Sequence, residues 1–188
     1  MAKALKIVEL GDPILFKKAA PIPDVLHPDI QILIDQMIET LKHANGVGLA
    51  APQVGVSKRL YLVWPDPVAT TAADIRIVIN PKLTQLPSPK VRDIEGCLSI
   101  PGMRGTVSRH QLVQLQYQDR TGETHSVTLR DFEARIVQHE HDHLDGIVYL
   151  DRISATQDLM TEGYYTRMEE NLWFYRTMAF VSIWPPGH

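Results

Sequence analysis

The sequence predicts an α+β fold in which antiparallel and mixed β-sheets pack around a central helix, with an N-terminal helix and a C-terminal helix followed by an apolar tail. Two patterns predict this class. Apolar residues recur at intervals of three and four between positions 27 and 44, which is the spacing of one buried helix face. Apolar and polar residues alternate over 113–118, as in a strand with one side in water.

Length and composition are those of a globular protein. The 188 residues fit one domain, 1–188, with 44% hydrophobic and 22% charged residues, which is enough apolar surface for a proper core. A net charge of -3 gives no global reason to expect binding to nucleic acid or to an anionic membrane. Cys97 is the only cysteine, and no run of about 18 apolar residues occurs, so the sequence predicts a cytoplasmic protein without an intrachain disulfide.

The first half of the chain predicts one helix and three strands. The helix covers 27–44 and ends before 46–53, where two glycines and a proline disfavour helix and let the backbone approach other groups closely. Stretches 59–64 and 75–80 are rich in Leu, Val and Ile and lie between turn-forming residues, so we predict strands there. A shorter strand is predicted at 82–86.

The second half predicts a β-hairpin that leads into the central helix. The hairpin strands are the alternating segments 113–117 and 125–129, and the polar segment 119–123 forms the turn between them. The helix that follows is predicted to have Asp131 as its N-cap and Gly146 at its C-terminal end.

The C-terminal region predicts a last helix at 158–174 and then the apolar tail at 178–184. An apolar tail of this kind is expected to pack on the body of the protein or on a second copy. The sequence is therefore compatible with a monomer or with a homodimer formed through the tail.

The central helix carries the pattern His-Glu-x-x-His at His139, Glu140 and His143. Residues four apart stack along one side of a helix, so the two imidazoles can hold one metal ion while Glu140 lies beside them as a proton acceptor. His141 is predicted to face away from the metal, into solvent. The pattern predicts a metal-binding helix and a metal-activated water.

Two histidines need a third protein ligand, and the sequence offers several. Tyr149 stands where one class of zinc peptidase has its third histidine, which excludes that class. Glu162 is placed as in thermolysin-like peptidases, and the thiolate of Cys97 would leave a fourth position open for water. A closed structural site would instead need a fourth ligand such as His110 or His125.

Three segments together resemble the signature motifs of peptide deformylase. They are 46–53 (GVGLAAPQ), 95–99 (EGCLS) and 138–146 (QHEHDHLDG), and the resemblance extends over about residues 7–152. The resemblance implies a metallohydrolase that removes the formyl group from the N-terminal methionine of nascent polypeptides and releases formate.

The resemblance also implies a role for particular residues. It implies that the metal ligands are Cys97, His139 and His143 and that the general acid and base is Glu140. It implies that the oxyanion donors are the side chain of Gln53 and the backbone N–H of Leu98. It implies a substrate surface for backbone pairing and for the methionine side chain, formed by Val47, Gly48, Gly96, Arg104, Phe132 and Ile136. Phe132 and Ile136 would equally suit an ordinary helix core, and Arg104 or Arg109 is predicted to orient Glu95 or the substrate chain.

The metal and the partners follow from the same resemblance. It implies Fe²⁺, with Zn²⁺ or Ni²⁺ as substitutes, because each accepts two imidazoles and a thiolate, and one ion per chain. The expected partners are formyl-methionyl peptides and nascent chains at the ribosome. Family members often end in a charged helix that meets the ribosome, and the tail at 178–184 lacks that charged character.

Overall fold

The computed structural model describes residues 2–65, 71 and 74–170 and confirms the predicted α+β class. These described residues form two long helices and eight strands, which in chain order are α1 (Pro28–Ala44), β1 (Gly48–Ala50), β2 (Leu60–Val63), β3 (Arg76–Gln85), β4 (Lys90–Cys97), β5 (Ile100–His110), β6 (Leu112–Gln118), β7 (Thr124–Arg130), α2 (Asp131–Leu144) and β8 (Leu159–Thr161). A further helix, α3, is described over 162–170.

Helix α1 begins one residue after the predicted start and ends where predicted. Its N-cap is His27, whose Nδ1 accepts a hydrogen bond from the amide of Asp29 at 3.2 Å. The predicted apolar face is buried, at Leu33, Ile34, Met37 and Leu41.

A five-stranded sheet with the order β1-β2-β3-β6-β7 separates α1 from α2. In β2, Leu60 and Leu62 pack in the core that contains α1, whereas Tyr61 and Val63 pack in the core that contains α2. The strand is buried on both faces, which explains why its sequence is continuously apolar rather than alternating.

The strands predicted at 75–80 and 82–86 form one strand, β3. Pro81 has no N–H to donate, so the sequence suggested a break. The structure accommodates it with a register shift between Ile79 and Lys82, where Asn80 has a positive φ of 49°. The side-chain amide of Asn80 fixes this bulge by bonding both the amide and the carbonyl of Ile22, each at 2.8 Å.

A second sheet has the order β4-β5-β8, and the sequence did not predict its strands. All strand pairs in both sheets are antiparallel among the described residues. Within the same part of the chain, the parallel pairing expected of a mixed sheet is confined to a single bridge between Ala20 and Lys58.

Helix α2 lies between the two sheets and contacts strands of both. The prediction that Asp131 is its N-cap is wrong, because Arg130 takes that position. The Asp131 carboxylate instead accepts a hydrogen bond from Gln111 Nε2 at 2.7 Å. Gly146 follows the C-cap residue Asp145 with a left-handed φ of 74°, as expected. A Cβ at Gly146 would lie 2.8 Å from the carbonyl oxygen of Phe16, so only glycine fits there.

The region after α2 differs from the prediction. The helix predicted at 158–174 begins at 162, because 159–161 pairs with β5 as strand β8. Residues 171–188, and with them the apolar tail at 178–184, lie outside the described residues. Within the described part of the chain, no helix has the length and apolar character needed to cross a membrane.

Candidate metal centre and active site

One side of α2 carries His139, Glu140 and His143, and all three side chains are buried. The two imidazole rings lie edge to face with centroids 5.1 Å apart, as expected for residues four apart on a helix. Ile136 and Val137 pack in the core beneath the five-stranded sheet. This packing sets the rotation of α2 about its axis and so aims the three polar side chains.

Cys97 ends strand β4 and brings its thiol to the same place. Its Sγ lies 3.3 Å from His143 Nε2. One potential ligand atom from each of Cys97, His139 and His143 lies within 4.8 Å of the other two. The β4–β5 register shifts between Gly96 and Cys97, which turns the thiol out of the regular strand and towards α2.

The side chains of Cys97, His139 and His143 are suited to bind a divalent metal ion. Two imidazoles and a thiolate are a donor set that zinc and ferrous iron accept, and three protein ligands leave a coordination position open. Burial lowers the pKa of His143 well below its usual range, so its ring is neutral and able to ligate. Glu140 Oε2 is buried beside these donors and has no hydrogen-bond partner among the described residues.

Glu95 orients the ring of His139 from the side opposite the candidate metal site. Its Oε2 lies 2.9 Å from His139 Nδ1, which leaves Nε2 of that ring for a metal. Arg109 donates two hydrogen bonds to the same carboxylate, each at 2.9 Å. Burial alone would raise the pKa of Glu95, but the hydrogen bonds from His139 and Arg109 hold it well below its ordinary value. Of the two arginines predicted to orient Glu95, it is therefore Arg109 that does so.

Three further residues complete this network, and their roles were not predicted from the sequence. Arg135 Nη1 donates to Glu95 Oε1 at 2.7 Å. Asp142 accepts from Arg109 and also from Arg152, whose Nη2 lies 2.7 Å from Asp142 Oδ1. Only their tertiary pairing reveals these residues, because no local spacing distinguishes them from ordinary surface charges.

Gln53 lies in a short 3-10 helix, Ala51–Val54, on the other side of the thiol. Its Oε1 accepts a hydrogen bond from the amide of Ala50 at 2.8 Å, which orients the side-chain NH₂ towards Cys97. Gln53 Nε2 lies 3.4 Å from Cys97 Sγ and 3.3 Å from Ser99 Oγ. The predicted oxyanion donor is therefore buried beside the candidate metal ligands with its N–H groups facing them.

The pKa of Glu140 is raised to about 7, and burial of the carboxyl group is the largest cause of this shift. A carboxyl group with a pKa near neutrality can both accept and release a proton at physiological pH. The backbone of Gly48 lies directly against this side chain, since a Cβ there would be 2.3 Å from Glu140 Oε1. The close approach predicted for the segment 46–53 is thus an approach to Glu140.

A cleft of about 560 Å³ opens onto these groups. Its walls include all the residues predicted to bind substrate, namely Val47, Gly48, Gly96, Arg104, Phe132 and Ile136. Phe132 is 52% exposed, so it is not a core residue, whereas Ile136 is buried and serves both the core and the cleft. Leu98 lines the cleft next to Cys97.

The other candidate ligands do not belong to the group formed by Cys97, His139 and His143. Glu162 is paired with Arg104 at 2.6 Å instead of joining the cysteine and histidines. His125, at the start of β7, is paired with Asp119 of the β6–β7 turn at 2.8 Å, and His110 lines a separate polar cleft behind α2. These placements disfavour both the thermolysin-like ligand set and the closed structural site.

His141 faces away from the candidate metal site, as predicted, but it is not solvated. Its side chain is only 16% exposed and packs between two charged neighbours. Its Nε2 lies 3.5 Å from Arg59 Nη2 and 3.7 Å from Asp145 Oδ2.

An α+β fold with His-Glu-x-x-His on a buried helix, a thiol as the third donor and an open cleft defines a class of metal-dependent hydrolase. A family model for polypeptide deformylase matches residues 4–158. The chain belongs to the polypeptide deformylase family.

Individual proteins support the same assignment. Peptide deformylase 2 of Nostoc sp. is 44% identical over 168 residues, which covers 87% of this chain and 94% of the relative. The crystal structure of peptide deformylase from Thermotoga maritima superposes with a TM-score of 0.75 at 36% identity, covering 81% of this chain and 99% of that one. A Met-Ala-Ser-bound peptide deformylase from Acinetobacter baumannii superposes with a TM-score of 0.74 at 36% identity, covering 81% and 100%.

Proposed function

We propose that this chain removes the formyl group from the N-terminal formyl-methionine of nascent polypeptides and releases formate. The observation that carries the proposal is the convergence of Cys97, His139 and His143 with Glu140 and Gln53 at the base of one cleft. The family, the fold and these five side chains all point to the same reaction.

Cys97, His139 and His143 would hold one divalent ion per chain, with Fe²⁺ expected and Zn²⁺ or Ni²⁺ accepted by the same donors. When bound, such an ion would polarise the formyl carbonyl and lower the pKa of a water molecule. Glu95 supports this site by fixing the ring of His139, and Arg109 supports it by fixing Glu95.

Glu140 transfers the protons of the reaction. It accepts a proton from the attacking water and then passes it to the amine that leaves when the formyl C–N bond breaks. Its position against Gly48 and its pKa near neutrality suit both steps. Burial of the carboxylate excludes bulk water as a competing proton source.

Gln53 and the backbone N–H of Leu98 stabilise the oxyanion that develops on the formyl oxygen. The hydrogen bond from the amide of Ala50 orients the Gln53 side chain before the substrate binds. Preorganised donors of this kind act most strongly in a buried site, where water does not screen them.

The substrate lies extended between two backbone segments. Val47 and Gly48 form one side of the cleft and Gly96 the other, and backbone pairing with both is independent of the substrate's side chains. Phe132 and Ile136 form the apolar pocket for methionine, in which the half-exposed ring of Phe132 becomes covered by the bound side chain.

Formyl-methionyl chains arise wherever translation begins with formyl-methionine, so we place the protein with the translating ribosomes of the cytoplasm. Nascent chains are its proposed partners. Packing of the tail at 178–184 on the body of the protein or on a second copy stays a prediction from the sequence.

Formate release tests the proposal. The protein, loaded with Fe²⁺ under anaerobic conditions, is incubated with formyl-Met-Ala-Ser and in parallel with acetyl-Met-Ala-Ser. We expect formate and Met-Ala-Ser from the first peptide and no reaction with the second. Cleavage of the Met-Ala bond would indicate a peptidase instead, and metal-loaded protein that releases no formate would contradict the proposal.

A further inference from the structure

Arg104 lies in the middle of the second sheet and reaches across it to the cleft. It pairs with Gly96 of β4 on one side and with Met160 of β8 on the other. Side chains opposite each other in antiparallel strands share a face, so Arg104 extends over the position where Gly96 has no side chain. A Cβ at Gly96 would lie 2.6 Å from Arg104 Nη1.

Glu162 holds the guanidinium in this position from the first turn of α3. Arg104 Nε and Nη2 donate to the two carboxylate oxygens of Glu162 at 2.6 and 2.9 Å, a bidentate pairing. Tyr165, one turn further along α3, places its ring 5.0 Å from Arg104 Cζ. The two α3 residues thus fix both the direction and the plane of the guanidinium.

This arrangement leaves one end of the guanidinium for a ligand. Nη1 has no hydrogen-bond partner among the described residues and faces the Gly96 backbone. Arg104, Glu162 and Tyr165 line the same cleft as Cys97, yet none of them belongs to the group of metal-ligating atoms. Because Arg104 and Cys97 line one cleft, we expect a substrate whose formyl group lies beside Cys97 to extend its later residues towards Arg104.

We propose that Glu162 is a positioning residue that sets a preference for peptides extending beyond the second residue. By holding Arg104 in one rotamer, it aims Nη1 at a backbone carbonyl of the third residue, and α3 thereby forms the distal end of the substrate cleft. The inference rests on the proposed deformylase function and deepens it.

The test compares a long with a short substrate. For wild type, E162A, R104A and the double variant, kcat and KM are measured with formyl-Met-Ala-Ser and with formyl-Met-Ala. The readout is the ratio of kcat/KM for the tripeptide to kcat/KM for the dipeptide. Loss of one charged hydrogen bond is worth about tenfold, so we expect this ratio to fall about tenfold in E162A, through a higher KM for the tripeptide.

A double-mutant cycle shows whether Glu162 acts through Arg104. Once Arg104 is absent, removal of Glu162 should lower the ratio no further, so R104A and the double variant should agree within about twofold. The matched control is D158N, which breaks the exposed pair between Asp158 and Arg92 in the same C-terminal region but outside the cleft. D158N should keep the wild-type ratio.

Two results would overturn the inference: an unchanged ratio in E162A, or independent, additive effects of E162A and R104A. Both presuppose that the wild type deformylates at least one of the two peptides. A wild type that releases formate from neither contradicts the proposed function instead, so the two failures are distinguishable.

Discussion

At the scale of single residues, two glycines make room for the polar groups of the cleft. A Cβ at Gly48 would lie 2.3 Å from Glu140 Oε1, and one at Gly96 would lie 2.6 Å from Arg104 Nη1. Both distances are far shorter than any real contact of a Cβ atom. Glu140 and Arg104 thus occupy space that any other residue type would fill, which links each glycine to one functional side chain.

The substitution Gly48→Ala should therefore displace Glu140 without touching the metal ligands. Loss of a positioned proton-transfer group typically lowers turnover by about a hundredfold or more, so we expect a decrease of that order in formate release with unchanged metal content. The control is Gly163→Ala, because the nearest atom to a Cβ there is 3.7 Å away. Turnover of Gly48→Ala within about twofold of wild type would contradict the close packing against Glu140.

Functional residues were predictable where a reactive side chain also has a characteristic spacing in the sequence. His139 and His143 were evident from their separation by four on a helix, and Cys97 from being the only thiol. Arg135 and Asp142 were not evident, because their importance comes from pairing with Glu95 and Arg109 between α2 and the second sheet. A buried charge is recognised by its partners, and a single sequence does not show them.

At the scale of elements, strands were predictable where burial makes them apolar and were missed where charge masks the alternation. Strand β4 carries Lys90, Arg92, Asp93 and Glu95 within eight residues, and half of its residues are exposed, so its period-two pattern is weak. Strand β8 is three residues long and lies directly before a helix. Its pairing with β5, rather than its own propensity, makes it a strand.

The buried arginine Arg109 joins β5 to both β4 and α2, and its removal should be costly. In Arg109→Ala, Glu95 would lose two hydrogen bonds in a site where its side chain is 4% exposed. Removing one partner of a buried ion pair costs about 3 to 5 kcal/mol, so we expect the free energy of unfolding of the metal-free protein to fall by about that amount in urea denaturation.

Arg92→Ala is the matched control for this prediction. Arg92 pairs with Asp158 on the surface, with 61% of its side chain exposed. Surface pairs contribute about 0 to 1 kcal/mol. Equal losses of unfolding free energy in the two variants would show that the buried network does not hold the elements together.

At the scale of the whole molecule, the site exists because α2 lies between two sheets. The five-stranded sheet buries the apolar side of α2, and the second sheet delivers Cys97 and Glu95 to its polar side. The segment Gly48–Ala50 and the 3-10 helix that follows it close the remaining side with Gln53. Ligands and donors that are up to 90 residues apart in sequence thereby meet in one cleft.

The match to the family covers residues 4–158, whereas α3 begins at 162. The part of the chain that the family model does not match thus supplies Glu162 and Tyr165 to the end of the cleft. This explains why the motifs predicted the catalytic groups but not the distal wall. The single domain 1–188 and the role of the tail at 178–184 remain predictions from the sequence.

The central claim is that Cys97, His139 and His143 hold one ion while Glu140 performs proton transfer. Metal content per chain, measured together with formate release after anaerobic preparation with Fe²⁺, tests it most directly in wild type, Cys97→Ala and Glu140→Gln. We predict about one ion per chain in the wild type and in Glu140→Gln, with formate release by Glu140→Gln lower by about a hundredfold or more, and a large loss of metal in Cys97→Ala. Full metal content in Cys97→Ala, or wild-type formate release by Glu140→Gln, would contradict the account.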